Sequence, residues 1–562
     1  MKRKTLTTAV LAGLTGIAGM SGVANAVNLN PDGLGQVLLY PYYTARGGNQ
    51  TLVSIVNTTE RGKAVKIRFL EGLNSREVLD FNIYMSPFDV WVAAVSETED
   101  GGGKITIPDN TCTVPYLFED VDGEQAFLPF AFTGPASDAR DPDFFAGDIF
   151  GFLDEDDDEE FWQDYLSAEF QQIERTASGY LEVLEMGTID PDGDVGYHTA
   201  IKHVRGVPPR SALVDGEVEI DDDFERCGAL VDAWTFNEPG SFLADSSQDM
   251  LPPSGGLLGS ASIINLQEGT MFSYNATALD NWSDSIVHTD PGDLFPNLNN
   301  GTNVSAVFLS GQAGMPNVDV RVWEENFEAV SATIMKEAIL NQYIIDDEIN
   351  ANTEWVITFP TKGFYADRGG FRSAVGPRAR QPFVGNGWHQ FAPFLGCQTA
   401  SVKVWDREEQ TATAEVTGPI VSPRPPDQPD PVFRLCGETN VVRFGPGSVA
   451  ETELFAEPAG LLPSLFPRHV AIDPAGLGFD SGWVRLDFND DDTGNGIRPT
   501  KFGTTPGIDP QTGSEVSYRG LPVIGFSAER YTNQTLATSA GDVLSNYGGT
   551  FQHRATRDVT SL

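Results

Sequence analysis

The chain has 562 residues, with 80 acidic against 36 basic side chains and a net charge of −44. Such a charge repels phosphate, which excludes nucleic acid as a partner and disfavours anionic lipid surfaces. With 40% hydrophobic and 10% aromatic residues the chain can still bury a large core, so wholesale disorder is excluded too.

Residues 1–26 have the three parts of a secretory signal peptide. Lys2, Arg3 and Lys4 form a positive start, Leu6 to Met20 is apolar with small residues, and Ala24-Asn25-Ala26 supplies a small-x-small cleavage pattern. We expect cleavage after Ala26 and work outside the cytoplasm, secreted to the cell surface or extracellular medium rather than kept in the periplasm. Past Val27 no run approaches the roughly 20 apolar residues of a spanning helix, so no membrane span is expected. The last stretch, Phe551 to Leu562, lacks the alternating, aromatic-rich character of an outer-membrane barrel strand.

The fold class expected is mainly β: an N-terminal immunoglobulin-like β-sandwich over 27–107, followed by further β-rich domains with short helical insertions. In the first of these, Leu52 to Val56, Val65/Ile67/Phe69, Leu79/Phe81/Ile83/Met85 and Val90 to Val95 alternate or run apolar between turns, the period of strands and not of helices. The Cys…Trp…Cys spacing of true immunoglobulin domains is absent. Residues 108–390 read as a central β-rich domain with acidic loops. Its strands are placed at Gly179 to Met186, Ser260 to Asn265 and Trp355 to Phe359. A helix with an acidic start is expected between Phe150 and Ile173, and a second over Phe327 to Tyr343, where Val330, Ile334, Ala338 and Ile339 mark one face. Residues 391–562 form a C-terminal β-rich domain. There Val402 to Trp405 and Thr411 to Val416 flank a polar turn as a hairpin, and Ser422 to Pro431 is a proline-rich extended loop.

Four cysteines in an exported chain read as disulfides, and pairing within domains gives Cys112–Cys227 and Cys397–Cys436. No C-x-x-C spacing supports zinc or redox chemistry.

Several blocks resemble one another's setting in a known group of proteins. Gly179-Tyr-Leu-Glu-Val-Leu-Glu-Met-Gly187, Glu354-Trp-Val-Ile-Thr-Phe-Pro-Thr-Lys362, Trp405-Asp-Arg-Glu-Glu409, Gly520-Leu-Pro-Val-Ile-Gly-Phe526 and Asn546-Tyr-Gly-Gly549 are similar to a functionally uncharacterised family of large secreted surface proteins of proteobacteria. The resemblance covers most of the chain after the leader. It implies export from a Gram-negative cell and transfers no catalytic residue or ligand.

Two acidic turns have the oxygen-rich form of calcium loops. One alternates Asp190, Asp192 and Asp194, and the other carries Asp487, Asn489 and Asp491. Neither matches the EF-hand, and solvated acidic turns are the competing reading, because Asp and Gly favour turns in any case. Six histidines show no H-E-x-x-H spacing, and there is no G-x-S-x-G elbow. Trp388 and Trp483 are aromatic residues that could stack on sugars if exposed. With no catalytic constellation in view, the expected function is an exported, acidic, surface-associated structural or binding protein. Calcium is its expected cofactor. Its expected partners are cell-surface or extracellular-matrix components, with self-association among them. The alternative is an extracellular hydrolase acting on polysaccharide.

Overall fold

The computed structural model describes residues 26–73, 75–115, 124–128, 173–203, 213–214, 217–218, 225–309, 318–365, 382–383, 398–413, 433–435, 437–445, 460–463, 471–472, 474, 478–488, 507–508, 515–538 and 541–561. Strand makes up 51% of the structure and helix 11%, in multiple antiparallel sheets, so the chain is mainly β. Among the described residues no helix is long and apolar enough to cross a membrane. The helix expected between Phe150 and Ile173, and the proline-rich loop, lie outside the described residues.

The strands that carry the first half, in chain order, are β1 (Val37–Thr44), β2 (Asn49–Asn57), β3 (Lys63–Glu71), β4 (Glu77–Met85), β5 (Val90–Glu97), β6 (Gly103–Thr106), β7 (Cys112–Val114), β8 (Ser178–Ile189), β9 (Leu257–Asn265), β10 (Thr270–Asn275) and β11 (Thr277–Asp280). One sheet runs β11-β1-β8-β3-β4-β7, with Asn28–Leu29 beyond β11 and Met250–Leu251 beside β8. The other runs β10-β9-β2-β5-β6 and ends on Glu124–Ala126. Their inner faces share a core in which Val65, Ile67, Phe81 and Val183 meet Ile55, Trp91, Val95 and Ile263. The alternation read from the sequence is this face: β2 buries Thr51, Val53 and Ile55 and turns Gln50 and Leu52 outward.

Residues 27–107 do not close this sandwich alone. Both of their sheets need β8, β9, β10 and β11 from beyond residue 107, and β8 lies centrally between β1 and β3. The reason is visible in β3 and β8, which are buried at every position and therefore covered on both faces. A strand of that kind requires neighbours that the segment before residue 107 cannot supply.

The second half is built mainly on β12 (Ala338–Ile344), β13 (Ala351–Thr358), β14 (Gln398–Asp406), β15 (Thr439–Phe444), β16 (Ser481–Asp487), β17 (Ile524–Thr538), β18 (Gly541–Gln552) and β19 (Arg554–Thr556). One sheet orders Thr411–Thr413, β14, β16, β12 and β19, and another orders Ala471–Ile472, β15, β13, β17 and β18. The hairpin expected around Asp406 to Glu409 is present, with Trp405 opposite Thr411. The long helix expected over Phe327 to Tyr343 is corrected. A helix, Asn326–Ile334, opens with a capping box between Glu325 and Glu328 and ends where Met335 turns extended. Its apparent continuation is β12, because Ala338 and Ile339 pair on both sides, with β16 and with β19. Two ladders of hydrogen bonds outweigh a helical spacing that the apolar residues also satisfy.

The halves share cores. Trp355 and Ile357 of β13 pack in a cluster with Val37, Leu39 and Leu184 of the first sheet. Val356, from the other face of the same strand, joins the core of the first sandwich. Tyr42 donates to the Pro463 carbonyl at 2.8 Å, and the Glu438 and Thr439 amides each donate to Gly72 at 2.9 Å. Val27, first after the expected cleavage, is buried and donates its amide to Val304 at 2.8 Å.

Cys112 on β7 and Cys227 on the helix Glu225–Thr235 form a disulfide across 115 positions, with Cα atoms 5.4 Å apart. This pairing is the one expected; Cys397 and Cys436 lie outside the described residues. It staples the helix to the sheet edge, where Tyr84, Met186, Leu230 and Phe242 pack around it. A loop of that length is worth about 4–5 kcal/mol in the chain-entropy model. Replacing both cysteines by alanine should lower stability by roughly 2–5 kcal/mol in urea titrations. Peptide mapping without reductant should recover Cys112 linked to Cys227, and a different partner for either would contradict this pairing.

Candidate functional site

Four of the six residues expected to bind calcium, Asp190, Asp192, Asp194 and Asp487, fall among the described residues. Asp190 follows the end of β8, and its Oδ1 accepts the Asp192 amide at 2.9 Å, which makes an Asx turn. Asp192 and Asp194 are exposed. The carboxylate that organises this turn is Asp249, whose Oδ2 accepts from Val195 at 3.0 Å and Gly196 at 2.8 Å. Asp487 is 7% exposed at the end of β16 and is gripped by Arg485 at 2.8 Å. Asn489 and Asp491 lie outside the described residues. Among the described residues no three His, Cys, Asp or Glu side chains converge as a metal site.

The titratable groups that do converge sit on the outer face of the first sheet. Glu182 and Asp80 flank Arg68 in register across β8, β3 and β4. Arg68 donates from Nε to Glu77 at 2.6 Å and from Nη1 to Glu182 at 2.5 Å. Burial pushes the Glu182 carboxyl up to about 7 against the pull of Arg68. Burial, with the Glu77 charge, takes Asp80 to about 7 as well. Beside them opens a cleft of about 350 Å³ lined by Ser75, Glu77, Tyr180, Glu182, Phe295 and Phe364 among others. A carboxyl titrating near neutrality is what general acid chemistry needs. Here, however, one guanidinium holds both Glu77 and Glu182, and the Tyr180 hydroxyl is engaged with Ser75 at 2.7 Å. No sequence pattern marks this cluster, since Glu182 is 114 positions from Arg68 and joins Arg68, Glu77 and Asp80 only through sheet register.

His288 belongs to an aromatic box on the same face. Its Nδ1 bonds the Ser246 carbonyl at 2.7 Å and its Nε2 the Tyr84 hydroxyl at 2.8 Å, while Trp234 donates to Tyr84 at 2.7 Å. His553 is placed similarly, with Val356 O at 3.0 Å and Asn341 at 3.2 Å. These are structural positions.

A different kind of site lies on the outer face of the β14-β16-β12-β19 sheet. Trp405 stands directly opposite Trp483, with ring centroids 3.9 Å apart and planes within 3°. The two strands approach closely because Gly482 carries no side chain, and a Cβ there would strike the Trp405 carbonyl. Trp483 remains 40% exposed and Phe551 44%. Both line an open groove of about 480 Å³ together with Leu340, Gln342, Gln552 and Arg554. Of the two tryptophans singled out in the sequence, Trp483 is therefore at the surface, and Trp388 lies outside the described residues. Trp405 was missed as its partner; the signal was present once β14 was recognised, but register with β16 was not.

Compared with family models, with characterised proteins and with solved structures, the chain matches none.

Burial lowers His288 and His553 to about 4. An unfolded histidine near 6.5 takes up a proton that the folded one refuses, so the stability present above pH 6.5 is lost as pH falls towards 4. Asp80 and Glu182 act in the opposite sense, because their raised values favour the fold at low pH and that share is lost as pH rises through 7. His288→Gln isolates the first contribution. Its destabilisation, read as a shift of the urea midpoint, should be larger at pH 7.5 than at pH 4.5. An equal shift at both values would contradict a neutral buried histidine.

Proposed function

We propose that this chain is an exported, acidic, surface-associated binding protein. The observation that carries the reading is the groove beside Trp483, where two large aromatic side chains stay open to solvent while many others are buried. Further support comes from the leader pattern in residues 1–26, from the resemblance to secreted surface proteins, and from an exposed apolar strip of Leu52, Val90, Val92 and Met271 on the second sheet of the first sandwich. That strip suits self-association or contact with other surface components. Kinship of the first sandwich with immunoglobulin-like modules belongs to this proposal, on the strength of its face-to-face antiparallel sheets. Calcium enters as a bridge between molecules, through exposed carboxylates such as Asp192 and Asp194, more readily than as an internal ligand.

The second reading, an extracellular hydrolase acting on polysaccharide, draws on Glu182 near neutrality in its cleft. The Arg68 grip weighs against it. Fractionating the producing cells with and without chelator separates the readings. A surface-associated protein should be abundant on the envelope and released when divalent cations are removed. A scarce protein free in the medium that cleaves polysaccharide would overturn the proposal.

A further inference from the structure

We infer that the groove beside Trp483 binds a neutral polysaccharide, with one sugar ring lying on the free face of that indole; this rests on the binding-protein reading. Trp405 covers one face of Trp483 in a parallel stack. On the other side Trp483 is paired in register with Gln342 of β12, and the groove lies there, lined by Trp483, Leu340 and Gln342. Trp405 thus props its neighbour upright and leaves a flat apolar surface facing an open trough. A pyranose ring presents just such a flat patch of C–H groups, ringed by hydroxyls.

The trough's polar groups fit those hydroxyls. Gln342 and Gln552 bring amides, and exposed Arg554 brings a guanidinium that makes no ion pair among the described residues. Gln342 Nε2 is committed to Glu529 at 3.0 Å, which fixes the side chain and leaves its oxygen as an acceptor. Phe551 offers a second apolar surface in the same trough. Charge then selects among polymers. Among the described residues no carboxylate lines the groove, in a chain with 80 acidic residues. Yet the net charge of −44 repels polyanions at a distance. A neutral sugar chain meets neither obstacle.

The test is calorimetric titration of the full chain with cellohexaose, maltohexaose and laminarihexaose, and with polygalacturonate as the polyanion. At least one neutral hexasaccharide should bind, and polygalacturonate should not. Trp483→Ala should weaken that binding roughly tenfold, the loss of one aromatic stack. Arg554→Ala, at an exposed position, should weaken it without changing the melting temperature and serves if Trp483→Ala fails to fold. No binding of any neutral hexasaccharide, binding unaffected by the groove variants, or preference for polygalacturonate would each overturn the inference. Envelope association without sugar binding would overturn this inference alone, whereas sugar binding by a chain absent from the envelope would overturn only the surface reading.

Discussion

The ammonium group of Lys66 holds together the face on which the rest of the molecule is assembled. It is fully buried, 2.8 Å from Asp80 Oδ2, and it donates to the carbonyls of Asp290 at 2.9 Å, Pro291 at 3.2 Å and Asp293 at 2.6 Å. An unpaired buried ammonium would be prohibitively costly, so the segment around Asp290 to Asp293 has to wrap it. The surrounding oxygens are of the kind that a hard cation takes, with a lysine head in the cation's place. Asn82 extends the clamp by donating to Thr289 O at 2.9 Å.

The sheet repeats this solution on its opposite face as well. Lys63 and Glu185 are both fully buried and 2.7 Å apart, with the Ser254 and Gly255 amides completing the carboxylate's partners at 2.9 and 2.8 Å. Arg68 binds Glu77 and Glu182, and Arg175 reaches Glu71 at 3.1 Å. Paired charges of this kind contribute little net free energy compared with apolar packing, but removing one partner strands the other. They therefore act mainly as a register lock: loops and strands from distant parts of the chain must arrive in one arrangement to satisfy them. The apolar stretch of the Lys66 face, Val37, Leu39 and Leu184, does the complementary work by packing on the second half.

Much of the first sandwich was legible because the inward face of each strand is apolar, as Leu79, Phe81, Ile83 and Met85 show on β4 and Trp91, Ala93 and Val95 on β5. The fully buried strands β3 and β8 were harder. Lys66, Arg68 and Glu182 alternate with apolar residues as a solvated face would, and only burial against later loops reveals otherwise. That is why a boundary at residue 107 looked natural from sequence. The acidic loop from Asp290 to Asp293 is likewise organised by a lysine, Lys66, over 200 positions away. The stacked tryptophans were half legible: exposure of Trp483 depends on which face of β16 turns outward, and that follows from pairing with β12 and β14.

Function and frame meet in this division of labour. Buried charges fix the inner sheets, so an outer sheet can leave aromatic side chains open without loosening the fold. The most direct measurement is hydrogen exchange by mass spectrometry on the native chain and on Lys66→Met. If the ammonium clamps the loop, peptides spanning residues 289–297 will be protected in the native chain and exchange freely in the variant, with protection also falling in β3 and β4. Unchanged protection of the 289–297 segment in Lys66→Met would contradict the account.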